Sequence, residues 1–217
     1  MDIVNAGPLD FDPGRLRLVK AQKDDAALIA RFYQMSSDGV ADYIWSKLAE
    51  PGEELLDVGA RRYARENTNF SYQNCRLYRT EEKVLGMLFA FPMHVDADTS
   101  ESDPILRPYS ELEQKNSYYI SGVAIDPGYR GKGLGSQLMF AAEAAALRLN
   151  LPRLSLLVFE QNQGAFKFYK RLGYVEIGRR AVVPHPFLHF GGDAVLMSKA
   201  TQPRSVLASW SHGDTTQ

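Results

Sequence analysis

Three closely spaced glycines, Gly131, Gly133 and Gly135, lie between Arg130 and Ser136 in the stretch VAIDPGYRGKGLGSQLM, residues 123–139. A short apolar run over residues 120–125 precedes these glycines, and an apolar segment of helical spacing follows them. The start of a helix exposes unpaired N–H groups and a partial positive charge, and phosphates bind there readily. Glycine leaves room for an anion beside the backbone, and Arg130 and Lys132 add positive charge. The stretch therefore predicts a pyrophosphate cradle between a strand and a helix.

Two other phosphate-binding motifs do not fit the same glycines. A P-loop, G-x-x-x-x-G-K-[ST], aligned on Gly131 would need a glycine where Asp126 stands. A Rossmann fingerprint, G-x-G-x-x-G, begun at Gly131 would need its third glycine where Ser136 stands. The pattern that fits is R-x-x-G-x-G, formed by Arg130, Gly133 and Gly135.

This glycine-rich stretch resembles the coenzyme A-binding motif of the GCN5-related N-acetyltransferase (GNAT) superfamily. A second stretch, NQGAFKFYKRLGYVEIG, residues 162–178, resembles the family's next motif and follows at the expected distance. The resemblance covers roughly residues 16–199 and implies an α/β (α+β) fold. That fold has a mixed, splayed sheet of about six to seven strands with helices on both faces. The implied activity is transfer of the acetyl group of acetyl-CoA to a primary amine by direct attack.

The resemblance also implies roles for individual residues. Val123 and Ile125 would hydrogen-bond the pantetheine arm of acetyl-CoA through their backbone, and Ala124 belongs to the same cofactor-binding segment. Asn162 would contact the pantetheine from the opposite side, and Tyr169 would be the catalytic acid that protonates the departing thiolate. The pyrophosphate would be wrapped by the loop of Arg130, Gly131, Lys132, Gly133, Leu134, Gly135 and Ser136.

Several of these residues have simpler interpretations when taken alone. Gly133 and Gly135 could serve tight packing of a helix on a strand. Asn162 could cap the helix that follows it. Tyr169 lies on an amphipathic segment among other aromatic residues, a pattern that is also typical of core packing. Cys75, the single cysteine, lies in a strand pattern that favours a buried small hydrophobe over a nucleophile.

The residue that removes the proton from the attacking amine is not evident. Amines with a pKa of about 10 are mostly protonated at neutral pH, so a base is needed. Many members of the family carry a glutamate on the strand ahead of the cofactor-binding segment, but residues 118–122 here contain no carboxylate. His94, Glu111, Glu113 and a chain of ordered water are the alternatives. The backbone N–H of Val123 is the simplest group to polarise the thioester oxygen.

Charge is distributed unevenly along the chain. Residues 126–180 contain nine cationic and four anionic side chains, net +5, whereas residues 96–113 contain one cationic and six anionic, net −5. The first segment suits the phosphates of coenzyme A, and the second would steer a cationic amine acceptor. Peptide N-termini, polyamines, amino acids and aminoglycoside-like amines all remain open as acceptors. A rival reading is a catalytically silent acyl-CoA-binding sensor or scaffold, which the missing carboxylate favours and Tyr169 opposes.

The elements that must position these residues follow from hydrophobic periodicity. Strands are predicted at 16–21, 74–80, 83–93, 117–125, 154–159, 174–183 and 194–199. Helices are predicted at 24–35, 41–49, 53–66, 134–149 and 165–172. Asp24 and Asp25 are predicted to cap the first helix, which is expected to end near Ser36-Ser37-Asp38-Gly39. Leu149 is predicted on the apolar face of the fourth helix. Residues 95–116 are predicted to form a long loop. That loop, the helices over 29–65 and a second loop at 184–192 would shape the acceptor side, whose aromatic residues are Tyr33, Tyr43, Trp45, Phe187 and Phe190.

Length and composition predict one ordinary globular domain. The chain has 217 residues, 45% of them hydrophobic, with a net charge of −1. A single domain over 16–200 is expected, between a loose arm at 1–15 and a disordered tail at 201–217. The absence of a signal-like start and of a long apolar run predicts a cytoplasmic protein without a membrane partner. No nucleic-acid partner is predicted, and a homodimer stays open. No metal is predicted either, because prolines keep His185 and His189 off a common helix.

Overall fold

The computed structural model describes residues 16–93 and 101–201, which form one seven-stranded sheet flanked by helices. The predicted arm at 1–15, and the predicted tail beyond Thr201, lie outside the described residues. Thr201 itself is held in place, because its backbone N–H donates to the carbonyl of Pro152 at 3.0 Å.

The elements alternate along the chain much as the periodicity predicts. The strands are β1 (Arg17–Lys20), β2 (Cys75–Arg79), β3 (Val84–Met93), β4 (Ser117–Ile125), β5 (Arg153–Phe159), β6 (Val175–Ala181) and β7 (Asp193–Ala200). The helices are α1 (Ala26–Ser36), α2 (Val40–Ser46), α3 (Leu55–Tyr63), α4 (Arg107–Ser110), α5 (Leu134–Arg148) and α6 (Gln163–Arg171). The strand order is β1-β2-β3-β4-β5-β7-β6, and every neighbouring pair is antiparallel except β4 and β5. The predicted mixed sheet is therefore confirmed.

Helices cover both faces of the sheet because its central strands are apolar on both sides. Successive side chains of a strand point to opposite faces. On β3, Phe89 packs with the α1–α3 side around Trp45, while Leu88 packs with the α5 side around Leu138 and Ala142. Each helical layer is thus anchored by burial of its own apolar stripe, and β3 and β4 are held between the two layers.

The sheet opens between β4 and β5, and this opening sets the place of the site. The two strands pair only from Tyr118 to Ile120, opposite Leu154 to Leu156. Directly after Ile120, the register against β3 shifts, because Ile120 faces Ala90 and Gly122 faces Phe89, which leaves Ser121 as an extra residue. A bulge of this kind bends its strand. The second half of β4 therefore diverges from β5, as expected for a splayed sheet.

Two details of the predicted helices are wrong. Leu149 was expected on the buried face of a helix over 134–149, but it is 51% exposed. The helix ends at Arg148, and the chain turns at Asn150 with φ +53°, so Leu149 lies past the last buried turn. Asp25 was expected to cap α1 with its side chain. Its carboxylate instead accepts from the backbone N–H of Gln22 and from Arg79, which closes a short 3₁₀ turn before the helix.

The predicted loop over residues 95–116 is only partly described, and its described part is folded. It contains the one-turn helix α4, in which Pro108 is buried, and Leu112 is 3% exposed. Leu112 packs with Phe159 and Leu196 in a small third cluster at the β7 side of the sheet. Burial of these apolar side chains holds the segment against strands β5 and β7.

Replacing Gly39 with alanine should destabilise the fold far more than replacing Gly52 with alanine. Both glycines have left-handed backbone angles, with φ +92° and +82°. Such angles cost an L-residue about 1–2 kcal/mol, which corresponds to roughly 2–8 °C of melting temperature. A Cβ on Gly39 would also lie 1.8 Å from the carbonyl oxygen of Phe187, whereas one on Gly52 meets nothing. Thermal unfolding of both variants measures the difference, and equal losses would mean that the loop at Phe187 yields freely.

Candidate active site

A cavity of about 550 Å³ lies between the diverging halves of β4 and β5 and is bounded by α1, α2 and α6. Three of the predicted site residues, Val123, Asn162 and Tyr169, line it together. Ala124 and Ile125 are buried in the two core layers, so only their backbone is left for contact with a ligand. Besides Tyr169, the aromatic residues that line the cavity are Tyr33, Trp45, Tyr63, Phe70, Phe91, Tyr109, Tyr119 and Phe159.

The glycine-rich turn follows the end of β4, outside the lining of the cavity. Gly131 and Gly133 have φ of +74° and +81°, in the left-handed region that favours glycine. No atom lies within 4 Å of where a Cβ would stand at either position, so packing is not the reason for these two glycines. Gly135 differs, because it lies inside the first turn of α5 and a Cβ there would touch the ring of Phe168 at 3.4 Å.

Backbone amides converge at this turn. The first bond within α5 runs from the N–H of Gln137 to the carbonyl of Gly133, so the amides of Leu134, Gly135 and Ser136 precede it and have no acceptor in the helix. Gly131 and Gly133 are exposed, and Gly135 and Ser136 are half-buried. The local geometry is therefore that of an open helix start, which favours an anion.

Arg130 and Lys132, the two cations of the turn, are held differently. The Nε of Arg130 donates to the carbonyl of Ile125 at 3.1 Å, which fixes the turn to the end of β4. The ammonium of Lys132 lies 5.2 Å from the centre of the Tyr129 ring. Neither is ion-paired with a carboxylate in the described ranges 16–93 and 101–201, so no acid compensates the positive charges near the exposed amides.

Asn162 forms the amino-terminal cap of α6, as its simpler interpretation predicts. Its Oδ1 accepts from the backbone N–H of Ala165 at 3.2 Å. Its Nδ2 donates to Oδ2 of Asp38 at 3.0 Å. Both ends of the amide thus have a partner within the protein, while the residue still lines the cavity. Contact with pantetheine stays a prediction, and it would use the remaining hydrogen-bonding capacity of the amide.

Tyr169 lies on α6 with its ring against the core. Its centroid is 5.3 Å from that of Phe168 and 5.9 Å from that of Tyr174. Burial, with a smaller contribution from the Asp38 carboxylate, raises the pKa of Tyr169 to about 12. The phenol is therefore protonated at neutral pH, which a general acid requires. Its hydroxyl makes no hydrogen bond to any residue that the structure describes, and the residue lines the cavity.

The predicted candidates for the base separate clearly. Glu111 lies in an exposed ion pair, in which the Nε of Arg180 donates to its carboxylate at 2.7 Å, and it does not line the cavity. Glu113 does line the cavity, and burial raises the pKa of its carboxyl. His94 lies outside the described residues. Glu113 is thus the one of the three that the structure places beside Tyr169's cavity.

Asp38 is a further carboxylate of the cavity that sequence reasoning missed. Burial raises the pKa of Asp38, and this effect is partly offset by the Asn162 hydrogen bond and by His189. Its backbone has φ +49°, and Gly39 follows with φ +92°. The sequence Ser-Asp-Gly read only as a helix end, although Asp before Gly is a signal for such a left-handed turn. The turn places the carboxylate between α1 and α6.

Two of the five aromatic residues predicted on the acceptor side line the cavity. Tyr33 and Trp45 line the cavity, but Tyr43, Phe187 and Phe190 do not. The predicted loop at 184–192 packs outside it: the N–H of His189 donates to the carbonyl of Asp38, and the ring of His185 lies 4.6 Å from that of Tyr43. The loop therefore contacts the Asp38 turn from outside the cavity.

The six acids of residues 96–113 have different surroundings. Asp96 and Asp98 lie outside the described residues. Asp103 is bound by the hydroxyl of Tyr43 and by the ammonium of Lys47 at 2.9 Å. Glu101 and Glu113 line the cavity, whereas Glu111 is paired with Arg180. Of the four acids that the structure describes in this stretch, Glu101 and Glu113 therefore bring negative charge to the cavity.

Other expected features can be located in the described residues. Cys75 is 1% exposed, and burial raises the pKa of its thiol, in agreement with a core role. Residues 16–93 and 101–201 contain no group of three or more His, Cys, Asp or Glu side chains arranged to hold a metal ion. Within the same ranges, no helix combines the length and the apolar character needed to cross a membrane.

Comparison with known proteins gives concordant matches. The family model described as Acetyltransferase (GNAT) family matches residues 38–174. The peptidyl-lysine N-acetyltransferase YjaB of Salmonella typhimurium is 30% identical over 144 residues, which are 64% of this chain and 90% of that protein. An uncharacterized N-acetyltransferase of Methanocaldococcus jannaschii is 36% identical over 67 residues, but the match spans only 31% of this chain and 30% of that protein.

Solved structures share the fold at low identity. A crystal structure described as an acetyltransferase superposes with a TM-score of 0.60 at 20% identity, covering 86% of this chain and all 100% of the other. An N-acetyltransferase from Staphylococcus aureus superposes with a TM-score of 0.59 at 18% identity, covering 84% and 100%. The splayed seven-stranded sheet, the two motifs and the match over 38–174 agree, and the chain belongs to the GNAT family of acetyltransferases, a family of acyltransferase enzymes.

Proposed function

We propose that this protein is an N-acetyltransferase that uses acetyl-CoA to acetylate a primary amine. The observation that carries the proposal is the placing of Val123, Asn162 and Tyr169 around one cavity, at the opening between β4 and β5, with the glycine-rich turn at the end of β4. The pyrophosphate would lie on the amides of residues 134–136, and the pantetheine would run along the free half of β4. The thioester would then face the cavity.

The reaction balances with groups that line the cavity. The neutral amine nitrogen attacks the thioester carbonyl carbon, a C–N bond forms and the C–S bond breaks. The proton lost by the amine goes to a carboxylate, either Asp38 or Glu113, directly or through water. The departing thiolate receives a hydrogen bond, and finally a proton, on the side of Tyr169. An amide N–H of β4, most simply that of Val123, polarises the carbonyl oxygen.

Thiol release measured with acetyl-CoA and a panel of amines tests the proposal directly. The panel should include a lysine-containing peptide, because the relative YjaB is described as a peptidyl-lysine N-acetyltransferase. Steady, amine-dependent release with a matching acetylated product in mass spectrometry is the expected result. The rival function, a silent acyl-CoA-binding sensor, requires binding of acetyl-CoA without amine-dependent release, and family membership speaks against it.

Replacing Asp38 with asparagine should lower activity while raising stability. Asparagine keeps an oxygen acceptor for Asn162 and tolerates φ +49°. We expect kcat/KM for the amine to fall roughly tenfold, less than the usual 10²–10⁴ for acid–base catalysis because Glu113 lines the same cavity. Asp42→Asn, one turn away and outside the lining, is the matched control.

The stability part of this prediction follows from the sign of the pKa shift. The pKa of Asp38 is raised in the folded state, so its contribution to stability is present at low pH and is lost as pH rises through the folded pKa. The neutral asparagine avoids that loss. The variant should therefore melt higher than the parent at neutral pH, and the difference should shrink on acidification. Unchanged kinetics together with this gain in stability would assign the proton to Glu113 or to water.

A further inference from the structure

Among residues 16–93 and 101–201, Arg62, at the end of α3, is the one cation that lines the cavity. Its side chain is half-buried and lines the cavity, and its guanidinium carbon lies 4.7 Å from the centre of the Phe70 ring. Burial lowers the pKa of Arg62, but an arginine keeps its charge in proteins. A permanent positive charge is thus held against an aromatic wall.

No carboxylate in the described parts of the chain compensates this charge. Within residues 16–93 and 101–201, Arg62 forms no ion pair, and its guanidinium donates no hydrogen bond. Its neighbour Arg61 shows the opposite behaviour, because it binds Glu53 at 2.9 Å on the outer side of the same helix. A half-buried charge without a partner is costly, so a guanidinium kept in a cavity without one favours an anionic ligand.

The remaining charged residues of the cavity are acids. Asp38, Glu101 and Glu113 line it, so the cavity carries negative charge as well as the single guanidinium. Tyr33 also lines the cavity, and its hydroxyl is 2.5 Å from that of Ser121 on β4. Burial raises the pKa of Tyr33, and the Ser121 hydrogen bond and the positive charge of Arg62 partly offset that rise. An acceptor between β4 and α3 would therefore meet acids for its amine and Arg62 for a second group.

We infer that the acceptor is a small amine that also carries a carboxylate, with the amine toward Asp38 and Glu113 and the carboxylate bound by the guanidinium of Arg62. This inference rests on the proposed N-acetyltransferase function. A planar guanidinium matches a carboxylate through two parallel hydrogen bonds, which a neutral end of the same size cannot form. The cavity, at about 550 Å³, is large enough for an amino acid with an extended side chain.

Pairs of amines that differ only by the carboxylate test the inference. Suitable pairs are lysine and cadaverine, ornithine and putrescine, and tyrosine and tyramine. We expect kcat/KM to be higher for the acid than for its decarboxylated partner by on the order of 10- to 100-fold, the usual effect of a hydrogen bond to a charged group. In Arg62→Met the preference should reverse, because the acids that remain attract the amine with the greater positive charge.

Two variants and one further substrate separate direct contact from general electrostatics. Arg61→Met removes a positive charge from the outer side of the same helix, outside the lining of the cavity, and should leave the ratio unchanged. Arg62→Lys should retain part of the preference, since lysine keeps the charge but not the fork. A lysine peptide capped at both ends and free of acids distinguishes a free amino acid from a peptidyl acceptor, and it should react like cadaverine.

The outcomes distinguish the inference from the proposed function. If no amine in the panel causes thiol release, the proposed function fails, and the inference fails with it. If amines react but both members of every pair react equally, the inference alone is overturned. An acid preference that persists in Arg62→Met, or a capped peptide as good as lysine, also overturns it. Melting curves will show whether Arg62→Met folds. If it does not, the ratio of kcat/KM between each acid and its decarboxylated partner in the parent protein still tests the inference.

Discussion

Replacing Gly133 with aspartate should abolish acetyl-CoA binding and leave the fold intact. Gly133 is exposed, its φ is +81°, and no atom lies within 4 Å of the position that a Cβ would take. A side chain there meets no protein atom, and it stands at the amino-terminal cap of α5, next to the amides of residues 134–136. An aspartate would place its own anion at the helix start and repel the pyrophosphate. Calorimetry should show a loss of affinity of more than roughly 100-fold.

Two matched variants isolate the cause. Asparagine has nearly the same shape as aspartate and tolerates a left-handed backbone. Gly133→Asn should therefore lose less affinity than Gly133→Asp, and the difference between the two losses measures the effect of the charge. Gly52→Asp introduces the same charge at a similar φ of +82° in the open turn between α2 and α3, and should leave affinity unchanged. Gly135→Asp is a poorer test, because its Cβ would touch Phe168. Parent-like affinity of Gly133→Asp, in a folded protein, would place the pyrophosphate elsewhere.

The parts of the fold that could be predicted are those that local chemistry determines. Strands β3 and β4 are apolar runs bounded by turn residues, and α5 has an apolar stripe of helical period, so their bounds follow within a few residues. Gly173 ends α6 with φ +87°, as a glycine after a helix is expected to do. The glycine-rich turn is also local, since the helix start and the freedom of glycine suffice to predict an anion-binding geometry.

The parts that could not be predicted depend on contacts distant in sequence. The Asp38 carboxylate is bound by Asn162, more than a hundred residues later, and the local sequence does not indicate that contact. Arg62 reads as one of several cations on an amphipathic helix, and only the packing of α3 against α1 and α2 places it in the cavity while Arg61 faces outward. The bulge at Ser121 that opens the sheet arises from the register between β3 and β4, which side-chain pattern alone does not determine.

Tyr169→Phe should lower kcat by roughly 10²–10³-fold with little change in acetyl-CoA affinity, the usual effect of removing one hydrogen-bond donor to a developing negative charge. The substitution removes only the hydroxyl, which has no hydrogen-bond partner among the described residues, so the packing against Phe168 and Tyr174 is kept. The pKa of about 12 keeps the phenol protonated through the working range, so the parent should show no loss of activity from Tyr169 below about pH 10. A mutant that melts like the parent, binds acetyl-CoA like the parent and turns over slowly is the expected combination.

The height of that pKa also bounds what the hydroxyl can do. An ordinary thiol has a pKa of about 8.5 and is a stronger acid than a phenol near 12, so complete proton transfer from Tyr169 to the thiolate is uphill. The phenol therefore acts chiefly by hydrogen-bonding the developing negative charge on sulfur, and the solvent restores the proton balance. Tyr174→Phe, a buried tyrosine outside the lining of the cavity, is the control and should keep parent kcat. Equal kcat in Tyr169→Phe and in the parent would mean that Tyr169 serves core packing and not catalysis.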